Sequence, residues 1–200
     1  MAFIENTAFE ARLTNNALDT LANVAGKFGT LAGTVFTPAD CSAGLLCVAG
    51  GKLPCEGFPG VMNENSYQMV AATADANANS IIYACDTHEN QLIGNGSNNY
   101  FMGTQTLGLG VPAGRYGNFC QIKFDNRSIY RFGLGNANAE VSTNGFFTIA
   151  AGQLAPTATA PTTAGAVYFE LVGTGNFVEG VSKSFGYIDV KAHVVLAAGA

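Results

Sequence analysis

The sequence predicts a mainly β protein, an antiparallel β-sandwich or barrel with an N-terminal helix or extended arm. From Leu31 onward, short β-prone runs alternate with clusters of turn-forming residues, a pattern typical of sandwiches and barrels. Hydrophobic residues make up 48% of the 200-residue chain, which is enough for a packed core. The longest stretch without a charge, residues 141–169, is rich in Ala, Thr and Gly, so no membrane-spanning helix is predicted.

The N-terminal thirty residues carry a helical pattern. Between Thr7 and Gly29, apolar residues recur three or four positions apart: Phe9, Leu13, Ala17, Leu21, Val24 and Phe28. Thr7 and Glu10 can form a capping box at the start of a helix, and Gly26 or Gly29 can end it. This pattern predicts an amphipathic helix that packs on its own domain.

An irregular arm that takes its shape from a partner is the alternative for residues 1–30. In that case the apolar side chains of the segment dock on a partner protein or on a neighbouring copy of the chain. The candidate partner-binding residues are then Phe3, Ile4, Phe9 and Leu13.

Residues 31–200 are predicted to form a single β-rich domain. The candidate strands are Thr34–Phe36, Leu45–Val48, Tyr67–Thr73, Ser80–Cys85, Tyr100–Thr106, Asn118–Phe124, Ser128–Phe132, Gly145–Ile149, Val167–Val172 and Tyr187–Leu196. The last is the clearest, because its apolar and polar residues alternate. One face carries Ile188, Val190, Ala192, Val194 and Leu196, and the other carries Tyr187, Asp189, Lys191 and His193.

Two connections between these strands have recognisable sequences. Asp125-Asn126 lies between two candidate strands and predicts a hairpin turn. Residues 153–165, QLAPTATAPTTAG, consist mostly of Ala and Thr with two prolines, which predicts a long exposed loop within the same domain.

Charged residues make up only 12% of the chain, about half of the ~25% usual for a soluble globular protein. A surface made largely of small polar residues packs well against another protein, so this composition favours an assembly component over a free enzyme. The net charge of −5 provides no basic face for phosphates, so nucleic-acid binding is not predicted. The N-terminus lacks the features of a signal peptide, which predicts folding in a cytoplasm.

Several residue clusters could carry chemistry, and each has a plainer interpretation that we favour. Residues 75–80, with Asp86 beyond them, partly match a calcium-binding loop but lack its Gly and its bidentate Glu, so a turn is favoured. The cluster Cys85, Asp86, His88 and Glu89 has no second pair of metal ligands nearby and reads as a solvated loop. The glycine-rich residues 108–114 fit neither a dinucleotide fingerprint nor a P-loop and predict a turn.

The cysteines and the aromatic residues also allow more than one interpretation. Five cysteines without metal-knuckle spacing are predicted to be small buried residues, with a disulfide or a metal site left open: Cys41, Cys47, Cys55, Cys85 and Cys120. Six aromatic residues could form a carbohydrate-binding face, although aromatic residues in strands are more often core: Tyr100, Phe101, Tyr116, Phe119, Tyr130 and Phe132.

Two stretches carry a resemblance to a known family. Residues 33–48, GTVFTPADCSAGLLCV, and residues 185–190, FGYIDV, resemble parts of small virion proteins of tailed bacteriophages. The resemblance is to head accessory proteins of the decoration or cement class, which bind an assembled capsid from outside. It implies a β-rich, non-enzymatic protein without a cofactor, present in many copies on the capsid exterior after assembly in the host cytoplasm.

The function expected from these observations is structural. The expected partners are the major capsid protein and other copies of the chain in a homo-oligomer, with no nucleic acid and no membrane. A receptor- or glycan-binding β module of a phage tail or a bacterial surface is the alternative. An enzyme is the least favoured class, because it would require a polar cluster such as Cys85 and His88 to converge in a pocket.

Overall fold

A computed structural model describes residues 9–11, 23–33, 35–54, 62–77, 79–85, 92–95, 98–101, 111–137, 145–179 and 183–196. These residues contain fourteen strands and one turn of 3-10 helix at Leu134–Asn136. The strands are β1 (Phe9–Ala11), β2 (Asn23–Ala32), β3 (Val35–Pro38), β4 (Leu46–Pro54), β5 (Met62–Ala71), β6 (Ile82–Cys85), β7 (Leu92–Asn95), β8 (Asn98–Phe101), β9 (Gly117–Gln121), β10 (Ile129–Gly133), β11 (Phe146–Ala150), β12 (Gln153–Thr157), β13 (Val167–Glu179) and β14 (Lys183–Val194). The mainly β fold predicted from the sequence is confirmed.

One group of strands closes into a small barrel. β2 pairs with β5 in parallel and with β9 in antiparallel orientation, and β4 and β6 complete the ring in the order β2-β5-β4-β6-β9. β3 extends the last part of β2 as a hairpin. Closure leaves these five strands without a free edge along the paired residues. β7 and β8 form a separate two-stranded hairpin.

A six-stranded antiparallel sheet packs against one side of this barrel. Its strand order is β1-β10-β14-β13-β11-β12. The core between sheet and barrel is built from both, and its buried members are Leu46, Ala72, Ile82, Ala84, Ile122, Tyr130, Phe132, Phe147, Ile149, Leu154, Val167, Phe169, Ile188, Val190 and Ala192. The alternation predicted for the last strand is confirmed for Ile188, Val190 and Ala192, whereas Leu196 lies beyond the strand and is exposed.

β6 is buried on both of its faces, because it separates two cores. Ile82 and Ala84 point into the core shared with the six-stranded sheet. Tyr83 and Cys85 belong to a second core inside the barrel, together with Cys41, Cys47, Met69, Val111 and Phe119. A strand with four consecutive buried residues is expected only where both faces are covered.

The turn between β11 and β12 joins the sheet to the barrel. Ala151 and Gly152 both have positive φ, 50° and 78°, as in the two-residue turns that suit right-handed hairpins. Gly152 donates its N–H to the Ala72 carbonyl at 2.8 Å and accepts from the Leu46 N–H at 2.8 Å. The turn backbone thus connects the sheet directly to β4 and to the end of β5.

The helix predicted between Thr7 and Gly29 is wrong wherever the structure describes this segment. Phe9–Ala11 pairs with β10, and Asn23–Ala32 is the barrel strand β2. The physical reason lies in Gly26, whose position leaves no room for a side chain: a Cβ would lie 2.5 Å from Met69 Cγ and 2.9 Å from the Tyr67 carbonyl. Close packing inside a barrel therefore overrides a helical spacing that glycine itself weakens.

Two predicted connections also need correction. The hairpin predicted at Asp125-Asn126 is wrong, since β9 belongs to the barrel and β10 to the six-stranded sheet. The predicted loop 153–165 begins with the edge strand β12, in which Leu154 is fully buried. The sequence analysis takes Pro156 as a sign of a loop. A proline is nevertheless compatible with an edge strand, because the outer side of such a strand forms no further backbone hydrogen bonds.

The crossing from barrel to sheet depends on the carboxylate of Asp125. Its Oδ1 accepts hydrogen bonds from the N–H groups of Ser128 at 2.8 Å and Arg127 at 2.9 Å, and its Oδ2 accepts from Ser128 Oγ at 3.0 Å. Partial burial opposes ionisation, but these hydrogen bonds to the charged form outweigh it, so the pKa of Asp125 is lowered from its ordinary value.

Substitutions at the two adjacent residues of the β11–β12 turn should have different effects on the free energy of unfolding. Gly152→Ala places a Cβ 2.9 Å from the Leu46 carbonyl in a left-handed conformation, and should reduce the free energy of unfolding by about 1–3 kcal/mol. Ala151→Gly, at an exposed left-handed position one residue earlier, should leave stability equal or slightly higher. Urea unfolding of both variants measures the difference, and equal losses would contradict this account.

The Asp125 turn should make the thermal stability of the protein depend on pH in the acidic range. The pKa of Asp125 is lower in the folded state than in the unfolded chain. The ionised carboxylate therefore adds to the free energy of unfolding above the unfolded pKa of about 3.9, and this contribution is lost as pH falls through the folded pKa. Asp125→Asn should therefore flatten the decline in Tm below about pH 4. Thermal unfolding across this range tests it, and an unchanged acid decline in the variant would count against the role of the carboxylate.

Candidate functional site

The outer face of the six-stranded sheet, which we define as the side opposite the shared core, carries paired charges and aromatic rings. Its central residues are Phe146, Tyr168, Glu170, Arg131, Tyr187, Asp189, Lys191 and His193. They alternate along β10, β11, β13 and β14 with buried core residues, so the strand period alone places them on one side. Two clusters organise this face.

The first cluster is centred on Arg131. Its guanidinium binds the Asp189 carboxylate through two contacts, Nε–Oδ1 at 2.8 Å and Nη2–Oδ2 at 3.0 Å. The same guanidinium lies 3.9 Å from the centre of the Tyr187 ring, so charge pairing and cation–π attraction act together. The Tyr187 ring in turn covers Gly175 on the neighbouring strand, where a Cβ would approach the ring to 2.6 Å.

The second cluster is centred on His193. Its ring stacks on Tyr168 with centroids 5.0 Å apart, and Nδ1 lies 2.7 Å from Asn126 Oδ1. Nε2 lies 2.9 Å from Glu170 Oε2, although the direction of approach does not form a hydrogen bond. The contact holds the imidazole beside a carboxylate and within the sheet surface. In the first cluster the Arg131 and Asp189 charges pair with each other within the sheet surface.

β13 and β14 continue beyond the rest of the sheet as a two-stranded ribbon, which we define as residues 175–179 and 183–187. The last residue of β10 pairs with Tyr187, and β11 pairs with β13 only at Phe169 and Glu170. Beyond these points, the described residues of the ribbon pair with each other, in the register Phe177 opposite Phe185. At about 3.3 Å per residue, the ribbon extends roughly 15 Å.

The root of the ribbon is held from neighbouring elements. Tyr187 covers Gly175, and Leu134 lies against Gly186, where a Cβ would approach Leu134 Cγ to 3.0 Å. A register shift at Val172 marks a bulge in β13 at the same place. Leu134 and Val172 remain 41% and 53% exposed, so apolar surface surrounds the point where the ribbon leaves the sheet.

Three cysteines meet inside the barrel. Cys41 precedes β4 and pairs with Val111, Cys47 lies on β4, and Cys85 ends β6. All three are buried. This confirms the prediction of buried cysteines for these positions, while Cys120 is partly exposed and Cys55 lies outside the described residues.

The structure describes only one of the four predicted partner-binding residues. Phe9 lies in β1, opposite Phe132 of β10, and so belongs to the edge of the six-stranded sheet. Phe3, Ile4 and Leu13 lie outside the described residues, and their role stays a prediction. The sequence analysis does not predict the ribbon as a candidate surface. It ends one candidate strand at Val172 and begins the next at Tyr187, whereas β13 continues to Glu179 and β14 begins at Lys183.

The predicted aromatic face does not exist as a whole. Phe119, Tyr130 and Phe132 are core residues, with exposed fractions of 0%, 2% and 0%. Tyr116 is exposed, and the Lys27 ammonium lies 4.4 Å from the centre of its ring. The side chains of Tyr100 and Phe101 lie outside the described residues. A glycan-binding surface built from all six aromatics is therefore wrong.

The plain interpretation of the calcium-like segment is confirmed. The described residues on either side of residue 78 form turns, in which Asn77 Oδ1 accepts from the Asn79 N–H at 2.9 Å, and Ser80 Oγ accepts from the Asn77 N–H at 3.2 Å. The described part of the glycine-rich segment is also a turn, with Gly114 at φ 80°. In the cluster at the end of β6, Cys85 is buried, and residues 86–91 lie outside the described part.

Two further observations concern ligands and membranes. Within the described ranges, no group of three or more Cys, His, Asp and Glu residues is arranged to hold a metal ion. None of the helical residues that the structure describes forms a segment with the length and apolar character needed to cross a bilayer.

Comparison of the chain with protein-family models, with curated proteins and with solved structures finds no match. The residues of this chain are therefore the basis for inferring its function.

Removing either partner of the Arg131–Asp189 pair should destabilise the protein. A double-mutant cycle with Arg131→Ala and Asp189→Ala should give a coupling of about 0.5–1 kcal/mol, because the pair is bidentate but partly exposed. Arg131→Lys keeps the charge and should still lose part of this energy, since Lys provides neither the fork nor the planar stack on Tyr187. Urea unfolding measures these values, and full retention of stability in Arg131→Lys would contradict the planar contact.

Proposed function

We propose that this chain is a structural virion protein, a capsid decoration protein that binds and stabilises an assembled phage capsid from outside. The observation that carries the proposal is the ribbon, which extends from a well-packed sheet and is paired, in its described residues, only with itself. A two-stranded ribbon on its own is marginally stable in water, so we expect burial against a partner to stabilise this one.

The residues at the ribbon suit a protein partner. Its register places Phe177 opposite Phe185 and Val178 opposite Ser184, and charged residues occur only at its end, in the pair Glu179 and Lys183. None of the described strands pairs with the outer edges of the ribbon beyond Tyr187, so the backbone there is the candidate place for strand addition.

The low charge of the whole chain supports the same class of function. Nine basic and fourteen acidic residues are few for 200 residues, and the outer face pairs Arg131 with Asp189 and places His193 beside Glu170. A surface with few free charges loses little hydration energy when neighbouring subunits cover it. The expected neighbours are the major capsid protein and other copies of the chain, with no cofactor and no catalytic step.

Many weak contacts explain how such a protein stabilises a particle. A capsid lattice presents the same site repeatedly, and an oligomer that engages several sites gains avidity from effective concentration. Each ribbon then contributes a modest contact, and bridging of adjacent subunits resists their separation. The resemblance of residues 33–48 and 185–190 to head accessory proteins agrees with this proposal, and the second stretch includes residues 185–187 of the ribbon.

Shortening the ribbon should remove capsid binding without unfolding the protein. In the variant, residues 177–185 are replaced by Asn-Gly, a two-residue turn that suits the paired residues Asn176 and Gly186. Co-sedimentation with capsids of the virus that encodes the chain should weaken by at least about tenfold, or ~1.4 kcal/mol. Circular dichroism and cooperative unfolding should be retained, because the shared core is unchanged.

The matched control replaces exposed apolar residues away from the ribbon. Val35→Ser and Ile81→Ser change side chains that are 65% and 55% exposed on other elements, and binding should persist in both. Undiminished binding of the shortened variant would refute the ribbon's role, and failure of the unmodified protein to bind capsids would refute the proposed function.

Quantitative mass spectrometry of purified virus particles tests the location of the protein. A copy number comparable to that of the major capsid protein is expected for a lattice-bound decoration protein. A small fraction of that number would instead place the chain in a tail or fibre, and absence from particles would refute a virion role.

A further inference from the structure

The root of the ribbon carries three glycines, which β-strands disfavour. Gly173 and Gly175 lie in β13, and Gly186 lies in β14, where the two strands leave the sheet. Glycine in a strand interior costs conformational entropy and provides no side chain for packing. The register shift between Leu171 and Gly173 adds a bulge at the same level. The backbone of the root is therefore suited to bending and to opening of its strand pairing.

On the outer face, the ring of Tyr187 covers one of these glycines. Gly175 lies directly opposite Tyr187 in the register, and a Cβ at Gly175 would lie 2.6 Å from Tyr187 Cζ. Packing of an aromatic ring across a glycine on the neighbouring strand stabilises strand pairing. The ring is itself held by the Arg131 guanidinium, 3.9 Å from the ring centre, which binds Asp189 through two contacts. A row of contacts thus runs from β10 across β14 to β13.

On the opposite face, Leu134 covers a second glycine of the root. Gly186 precedes Tyr187 in β14, so strand alternation places it on the side of the shared core, which Ile188 also faces. A Cβ at Gly186 would lie 3.0 Å from Leu134 Cγ. Leu134 belongs to the 3-10 turn that follows β10, so it is anchored outside the ribbon. The root is thus contacted on both of its faces.

We propose that the root is a hinge held closed by two side chains, Tyr187 on the outer face and Leu134 on the side of the core. Bending toward the outer face presses Gly175 against the Tyr187 ring, and bending the other way presses Gly186 against Leu134. Each side chain therefore opposes one direction of movement. Arg131 is a positioning residue, because it acts on the hinge through the Tyr187 ring. The inference concerns the free protein and does not rest on capsid binding.

Hydrogen exchange of backbone amides tests the hinge, because exchange reports how often strand pairing opens locally. Tyr187→Thr removes the ring but keeps a residue that favours strands, and Leu134→Ala removes the contact with Gly186. In each variant, amides of the ribbon should exchange at least about threefold faster, as expected for loss of one such contact. Amides of residues 188–192, which continue β14 into the shared core, should exchange as in the unmodified chain. Mass spectrometry of peptides from the exchanged full-length protein measures both regions.

A conservative variant separates the hinge from a general loss of stability. Tyr187→Phe keeps the ring over Gly175 and the stack on Arg131, so its ribbon should exchange within about twofold of the unmodified chain. The double variant of Tyr187→Thr and Leu134→Ala should exchange faster than either single variant, because the two contacts lie on opposite faces.

Three results would overturn the proposal. They are unchanged exchange of the ribbon in either single variant, equal acceleration in Tyr187→Phe and Tyr187→Thr, and acceleration that extends equally to residues 188–192. If Tyr187→Thr does not fold, Leu134→Ala decides the matter, since Leu134 is 41% exposed and lies outside the shared core.

Discussion

The strand β6 imposes the constraint on which the rest of this structure depends. Its residues alternate between two cores, since Ile82 and Ala84 face the six-stranded sheet while Tyr83 and Cys85 face the barrel interior. β4 follows the same division, with Leu46 in one core and Cys47 in the other. A shift of either strand by one residue would exchange these sets and disrupt both cores at once, so the two fix each other's register.

Two connections with specific hydrogen bonds join the barrel to the six-stranded sheet. The turn at Ala151-Gly152 donates to and accepts from barrel backbone, and the Asp125 carboxylate fixes the crossing that leads from β9 to β10. The turn relies on the positive φ angles of Ala151 and Gly152. The crossing relies on the Asp125 carboxylate, which accepts three hydrogen bonds. Rigidity matters for the proposed function, because a ribbon can present its side chains to a partner at low entropic cost only if its base is fixed.

The surface divides into an outer face with internal contacts and a ribbon for which we propose a partner. On the outer face, Arg131 binds Asp189 of the same sheet, and His193 stacks on Tyr168 and contacts Asn126 of the preceding turn. The ribbon extends beyond that face and lacks a neighbouring strand in its described residues. This contrast is the structural argument for an assembly role.

The sequence by itself determined the strand-rich class, most strand positions and the buried side of the last strand, because alternation with period two depends only on local geometry. It also predicted burial of Cys41, Cys47 and Cys85 from residue type. Only the tertiary structure decided that Asn23–Ala32 is a barrel strand, that β9 and β10 belong to different layers, and that β13 and β14 extend past the sheet as a ribbon. These features depend on which segments meet in space, and contacts between residues far apart in the chain leave no periodic signal in a single sequence.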